Sequence, residues 1–344
     1  MHQDVAIDTQ PLLNFRLQTT SARDRRNAPT AAWPIRAARR AARALKRQTP
    51  VLIALLAVGL LLGVGYFMLA QAPLATALGS GASFGLAAGG LLALARELGR
   101  NAIGLSSFGG KNKYPILGAA PDLSAQTLRD LAPDQRTPLG CLLHQPAAGF
   151  ATAFRDLEKT LSNKQLVAFV GPAPEEGATT AALAVAVTAA QQGRRVIAVD
   201  CDLGRRSLTR AIEADPERGV ADAVAAPESW RDFLTQEAES GLDVLPAGRT
   251  RNVWRSPFDG PGFETLMDKL REDYDLIVLD CPPTLNADGA IVARSADRCV
   301  IVTTWDETPI GALNDALRAL GRSGPEHTSV FVNRVPSRYA LARS

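Results

Sequence analysis

Aromatic residues make up only 6% of this 344-residue sequence, so its core must be aliphatic, drawing on the plentiful alanine and leucine. The four cysteines, Cys141, Cys201, Cys281 and Cys299, lack the paired spacing of a zinc site or of a secreted disulfide framework. They read as buried thiols in a reducing compartment. The three histidines, His2, His144 and His327, are scattered, which argues against a histidine-based metal site. With 46% hydrophobic and 21% charged residues, disorder over the whole chain is excluded. A uniform basic character is missing too. Residues 1–50 hold ten Lys/Arg against three Asp, whereas the remainder carries 28 basic and 32 acidic residues. Such local basicity argues against nucleic acid as a partner and for a juxtamembrane arm facing membrane lipids.

No charged residue occurs from Gln48 to Ala95, a run of 48 residues. Two membrane spans of about 20 residues with a short turn would fill it. The first covers 51–70, VLIALLAVGLLLGVGYFMLA; the second, richer in Ala and Gly, covers roughly 74–95, with Gln71 and Pro73 in the turn. Arginines and lysines precede the block at 36, 39, 40, 43, 46 and 47 and follow it at 96, 100, 111 and 113. By the positive-inside rule both ends are cytoplasmic, which requires a hairpin in the bacterial inner membrane. Gly81, Gly85 and Gly89 form a stripe that lets another helix approach closely, either the first span or another subunit. Ahead of the hairpin, 1–47 reads as a disordered basic segment ending in a juxtamembrane helix over 35–47.

After a linker over 97–150, the pattern of 151–344 changes to short apolar runs alternating with helical stretches, the signature of a doubly wound parallel α/β sheet. Strands are expected at 166–170, 195–199, 242–245, 275–279, 299–303 and 329–332, and helices at 151–161, 179–192, 263–272 and 311–322. Ligands of such sheets sit at the carboxyl ends of the strands. There, LVAFVG runs into Pro172-Ala173-Pro174-Glu175-Glu176-Gly177-Ala178-Thr179-Thr180 and an Ala-rich helix, the strand–loop–helix context of a phosphate-binding loop. Gly177, Thr179 and Thr180 are the cofactor-binding candidates. Asp200, Asp202 and Asp280 each close an apolar strand and, with the Thr179 hydroxyl, could hold Mg²⁺ through oxygen ligands.

Residues from Lys113 to Arg334 resemble the cytoplasmic P-loop ATPase domain of bacterial tyrosine kinases of the polysaccharide co-polymerase family. Seven elements arrive in the family's order: Tyr114-Pro115-Ile116-Leu117-Gly118-Ala119-Ala120-Pro121, Ala153-Phe154-Arg155-Asp156-Leu157, the phosphate loop, VDCDL, Leu245-Pro246-Ala247-Gly248, LDCPP and Val332-Asn333-Arg334. The resemblance implies ATP and Mg²⁺ as cofactors and adds Asn333 to the cofactor-binding set. It implies a homo- or hetero-oligomer whose partners are an active kinase or co-polymerase subunit and the polysaccharide export machinery.

Departures from the family pattern qualify that expectation. Family loops read P-G-E-G-K-[ST], whereas Glu175 here replaces a glycine and Ala178 stands at the lysine position. Losing one charge-assisted phosphate contact, worth ~1.5–3 kcal/mol, weakens binding roughly 10- to 150-fold. Lys164 is no evident substitute; Arg205 and Arg206 could offset the three aspartates. The kinases end in a tyrosine cluster, but only Tyr339 lies near this C terminus, and Thr152, Arg155 and Glu158 occupy the family's E-x-x-R-x-x-R helix pattern. The expectation is a membrane-anchored, catalytically degenerate kinase-like subunit in surface polysaccharide biosynthesis and export, with weak or no ATP and Mg²⁺ binding. Two readings stay open beside it: an active ATPase or tyrosine kinase of the same pathway, and a partition or division-site positioning ATPase.

Overall fold

The computed structural model describes residues 15–17, 53–62, 64, 66, 80, 82–88 and 103, and residues 114–343 apart from 124, 250–255, 322–326 and 337–340. Two compact units result, one from Thr20–Asn101 and one from Met1–Thr19 with Ala102–Ser344.

In the first unit, residues 53–62 and 82–88 are helical. A side chain at Gly85 would come within 2.5 Å of the Leu55 carbonyl oxygen, so the glycine brings the two backbones together within this chain. Ile53, Leu61, Leu62, Phe84 and Leu86 are exposed. Among the described residues no helix is long and apolar enough to cross a membrane. Most of the second predicted span, and the helix predicted over 35–47, lie outside the described residues.

The second unit begins with a short strand, β1 (Phe15–Leu17), the only part of 1–47 that is described. In chain order there follow β2 (Ile116–Pro121), α1 (Ala125–Arg129), α2 (Pro138–His144), α3 (Gly149–Leu161), β3 (Leu166–Val170), α4 (Ala178–Gln191), β4 (Val196–Asp200), α5 (Ser207–Ala211) and α6 (Val220–Ala225). The chain continues through β5 (Thr235–Gln236), β6 (Asp243–Leu245), α7 (Pro261–Asp273), β7 (Leu276–Asp280), α8 (Ala287–Ser295), β8 (Arg298–Thr304), α9 (Ile310–Ala319), β9 (Thr328–Val335) and β10 (Leu341–Arg343). β1 and β10 pair antiparallel. The main sheet has eight strands in the order β2-β9-β8-β3-β7-β4-β6-β5, and only β5 runs antiparallel to its neighbour.

β3, β4 and β7 are buried at every residue, which is why each reads in sequence as an unbroken apolar run. Their side chains alternate between the two faces. Val167 and Phe169 pack with α2, α3 and α4, whereas Leu166, Ala168 and Val170 pack with α7 and α8. α4 is buried continuously from Ala181 to Ala189, because its alanines let it nest between the sheet and α3. Within 97–150, read as a linker from sequence, β2 forms the sheet's edge beside β9 and α2 joins the core under α4. Pro115, Gly118 and Pro121 hide β2 from propensity reading, and an edge position tolerates the prolines' missing donors and the irregular register.

Candidate functional site

The register of the central strands sets Asp280, at the end of β7, level with Asp200 at the end of β4 and with Phe169 near the end of β3. The β3–α4 loop therefore opens onto the edge where the carboxylates gather. Glu175 has φ 68° and Gly177 φ 93°. The left-handed conformation costs a non-glycine residue about 1–2 kcal/mol, so Glu175 holds a glycine-type backbone without being one.

The loop is fixed by its own second glutamate. Glu176 is buried; its carboxylate accepts the Thr304 N–H at 2.9 Å and the Thr308 hydroxyl at 2.6 Å. Burial raises its pKa, and the Thr308 and Thr304 bonds oppose that in part. The Glu176 carbonyl also accepts Asn333 Nδ2 at 3.4 Å, and a side chain at Gly177 would collide with that same amide. Asn333 is thus a clamp on the loop, with its Oδ1 taken by the Arg334 N–H at 2.9 Å. Thr308 is itself tied down, since its carbonyl accepts Ile103 N–H at 3.0 Å while the Asp306 N–H donates back to the Ile103 carbonyl at 2.7 Å.

The three aspartates, alike in sequence, have different surroundings. Asp200 accepts the Asp202 N–H at 3.1 Å on one oxygen, and the Thr209 N–H at 2.8 Å and hydroxyl at 2.7 Å on the other. Thr209 Oγ1 in turn accepts the Ala247 N–H at 3.0 Å, tying β4 to α5 and to the segment after β6. Burial still pushes the Asp200 carboxyl upward. Asp202 accepts the Arg205 N–H at 3.0 Å and Arg205 Nε at 2.8 Å.

Asp280 is fully buried and neither of its oxygens has a hydrogen-bond partner. Burial, then the charge of Asp200, hold its pKa well above the carboxylate range; the Thr179 hydroxyl lies near enough to favour the ionised form without reaching hydrogen-bond geometry. Arg205 also acts on Asp280 in the favourable sense. Such an orphaned carboxylate calls for a cation or donor.

The residues present fit Mg²⁺ on this ground. Asp280 and the nearby Thr179 hydroxyl are hard oxygen donors, and Mg²⁺ commonly takes one or two protein ligands beside waters and phosphate. Asp200 is committed to Thr209 and Asp202 to Arg205, and among the described residues no three His, Cys, Asp or Glu converge on a metal-sized site. Gly177, Thr179 and Thr180 stand at the start of α4, where no side chain caps the helix and its first N–H groups are available to an anion. Sequence reasoning missed Thr209, Thr304 and Thr308, because nothing local marks a threonine nine residues past Asp200 or at the end of a distant strand. Cys201 and Cys281 follow two of the aspartates and are buried in the core with Cys299; burial raises all three thiols, which leaves them unreactive.

The AAA domain family matches residues 175–320. EpsB of Ralstonia nicotianae, which bears a provisional tyrosine-protein kinase name, is 29% identical over 52% of this chain and 24% of its own. The succinoglycan biosynthesis transport protein ExoP of Rhizobium meliloti is 24% identical over 64% of this chain and 31% of its own. This chain thus spans about a quarter to a third of the length of these relatives. Among solved structures, the kinase domain of the Escherichia coli tyrosine kinase ETK superimposes with a TM-score of 0.56 at 19% identity, over 64% of this chain and 89% of that one. The chimerical protein CapA2B2 gives 0.55 at 20% identity, over 65% and 96%. Over 175–320 the chain thus matches an AAA domain family; it is similar in sequence to bacterial tyrosine-protein kinases and polysaccharide transport proteins and shares the fold of the ETK kinase domain.

Proposed function

We propose that this chain is a membrane-anchored, kinase-like subunit of a surface polysaccharide biosynthesis and export system, with a nucleotide site that has lost most of its catalytic power. The observation that carries the reading is a loop with the backbone of a phosphate cradle and no ammonium in it. Glu175 and Gly177 keep left-handed backbones and α4 offers its amino end, yet Ala178 supplies no positive charge where phosphate charge would concentrate. Bound at Asp280 and Thr179, Mg²⁺ would neutralise part of the nucleotide's charge. Thr179 and Thr180 would meet the phosphates, and Asn333 would hold the loop in shape.

Membrane attachment is supported by the 48-residue uncharged block, its basic flanks and the close approach at Gly85. Reporter fusions at Ala72 and Ser344 test it: opposite compartments are expected, and a shared compartment removes the second span. An active kinase or co-polymerase subunit is the proposed partner, because an isolated subunit with a weakened site needs one to act. The decisive experiment deletes the gene and complements it with wild type or with Asp280→Asn. Loss of surface polysaccharide on deletion, with rescue by both forms, is expected; rescue by wild type alone, with phosphotransfer by the purified chain, would replace this reading with the active-kinase one. That second reading draws on the retained Asp280–Thr179 pair.

A further inference from the structure

The described part of the phosphate loop and the first turns of α4, residues 171–181, contain two carboxylates and no lysine or arginine. The β4–α5 loop, which leaves the carboxyl edge of the sheet, nevertheless carries a cation. Arg205, on the β4–α5 loop, is held by two bonds to Asp202, one from its backbone N–H at 3.0 Å and one from Nε at 2.8 Å. Using Nε for Asp202 leaves the two terminal amino groups of the guanidinium, the pair suited to bidentate phosphate contact, outside that bond. The side chain is 38% exposed while Asp202 is 7% exposed, so the base of the arginine is anchored and its head is reachable.

Its neighbours are less suitable. Arg206 is drawn to Asp215, which also takes Arg249, and those contacts are exposed. Arg205 is tied through Asp202, whose N–H donates to Asp200 at 3.1 Å, to the strand end that lies level with Asp280. Because β4 and β7 are adjacent with Asp200 level with Asp280, the loop that begins at Cys201 leaves the sheet beside Asp280, and the β3–α4 loop leaves it on the other side.

We infer that Arg205 supplies, from the β4–α5 loop, the positive charge that Ala178 cannot, and that the ligand of this site is a magnesium-bound nucleoside polyphosphate shared between Arg205 and the Asp280–Thr179 pair. Asp202 is then a positioning residue, holding the guanidinium, and its retention no longer needs a role as a metal ligand. The inference rests on the nucleotide-site reading above and deepens it by naming the group that sustains the residual affinity.

The test is a titration of Mg-ATP, followed by calorimetry, into the purified full-length chain and its Arg205→Ala, Arg205→Lys, Ala178→Lys and Arg205→Ala/Ala178→Lys forms. Wild type is expected to bind measurably but weakly. Arg205→Ala should lose roughly tenfold or more, as expected for a charge-assisted phosphate contact, and Arg205→Lys should retain part of the affinity. Ala178→Lys should restore binding to Arg205→Ala and gain more there than in wild type, since both changes supply the same charge. Circular dichroism melts of each form without nucleotide report folding, and Arg205→Lys keeps the test decisive if Arg205→Ala melts early. Equal affinity of wild type and Arg205→Ala, or strictly additive effects of the two sites, overturns the inference. No binding by wild type overturns it while leaving the degenerate-subunit reading standing. Low-micromolar binding independent of Arg205 overturns both.

Discussion

Replacing Asp280 with asparagine should make the protein more stable. Asp280 is fully buried, both oxygens are unpartnered, and Asp200 stands level with it on the next strand. An unsatisfied buried polar group costs about 1–3 kcal/mol, and more when charged, so removing the charge while keeping the shape should gain about 1–2 kcal/mol. In a domain of 150–250 residues that corresponds to a rise in Tm of about 2–8 °C. The pH dependence gives the sharper test. Burial raises the folded-state pKa of Asp280 above its unfolded value near 3.8, so the folded form holds its proton more tightly than the unfolded form. Stability from that proton is fully present below the unfolded value and is lost as pH rises through the folded one. Melts in chelator between pH 4 and 8.5 should therefore show little difference between wild type and Asp280→Asn at the acid end and a widening advantage for the variant towards alkaline pH. Added Mg²⁺ should narrow the gap by stabilising wild type alone. A variant less stable at every pH, or an advantage that does not change with pH, would refute the account of Asp280 as an unpaired buried carboxylate.

Other substitutions should act in the opposite direction. Glu176→Ala removes the acceptor of the Thr304 N–H and the Thr308 hydroxyl and should cost about 2 kcal/mol, read as a lower urea midpoint with an unchanged m-value. Glu176→Gln should cost less, and, because the Glu176 pKa is raised by burial, the comparison should favour the amide increasingly as pH climbs above 4.5. Thr209→Val strands the Ala247 N–H and takes one donor from Asp200, which should lower stability by about 1–3 kcal/mol and shows in a thermal melt. Ile103→Ala empties a site packed against Trp305, Val330, Val332 and Val335 and should cost about 2–5 kcal/mol, measured by denaturant unfolding of the full chain.

Much of the architecture could be read from the chain itself. Strand β3 lies where its apolar run predicts, and β7 and β8 differ from expectation by one residue at either end, because strands buried on both faces leave continuous hydrophobic segments. The helices α3, α7 and α9 were legible from their periodicity, α4 from its run of alanines, and the phosphate loop from its place between β3 and α4. Strand β2 was not, since its prolines and glycine argue against a strand and only the pairing with β9 makes it one. The candidate site divides in the same way. Its residue types and their position at the carboxyl edge follow from the sequence pattern. Their roles follow from contacts: Asp200 and Asp280 both end apolar strands, yet Thr209 satisfies the first and nothing satisfies the second. Nothing local marks Glu176 for its part, which is to turn inward to Thr304 and Thr308, 128 and 132 residues away. Periodicity and burial act over a few neighbouring residues and are written along the chain; which carboxylate finds a donor is decided by strand order and register, and that only the folded sheet determines.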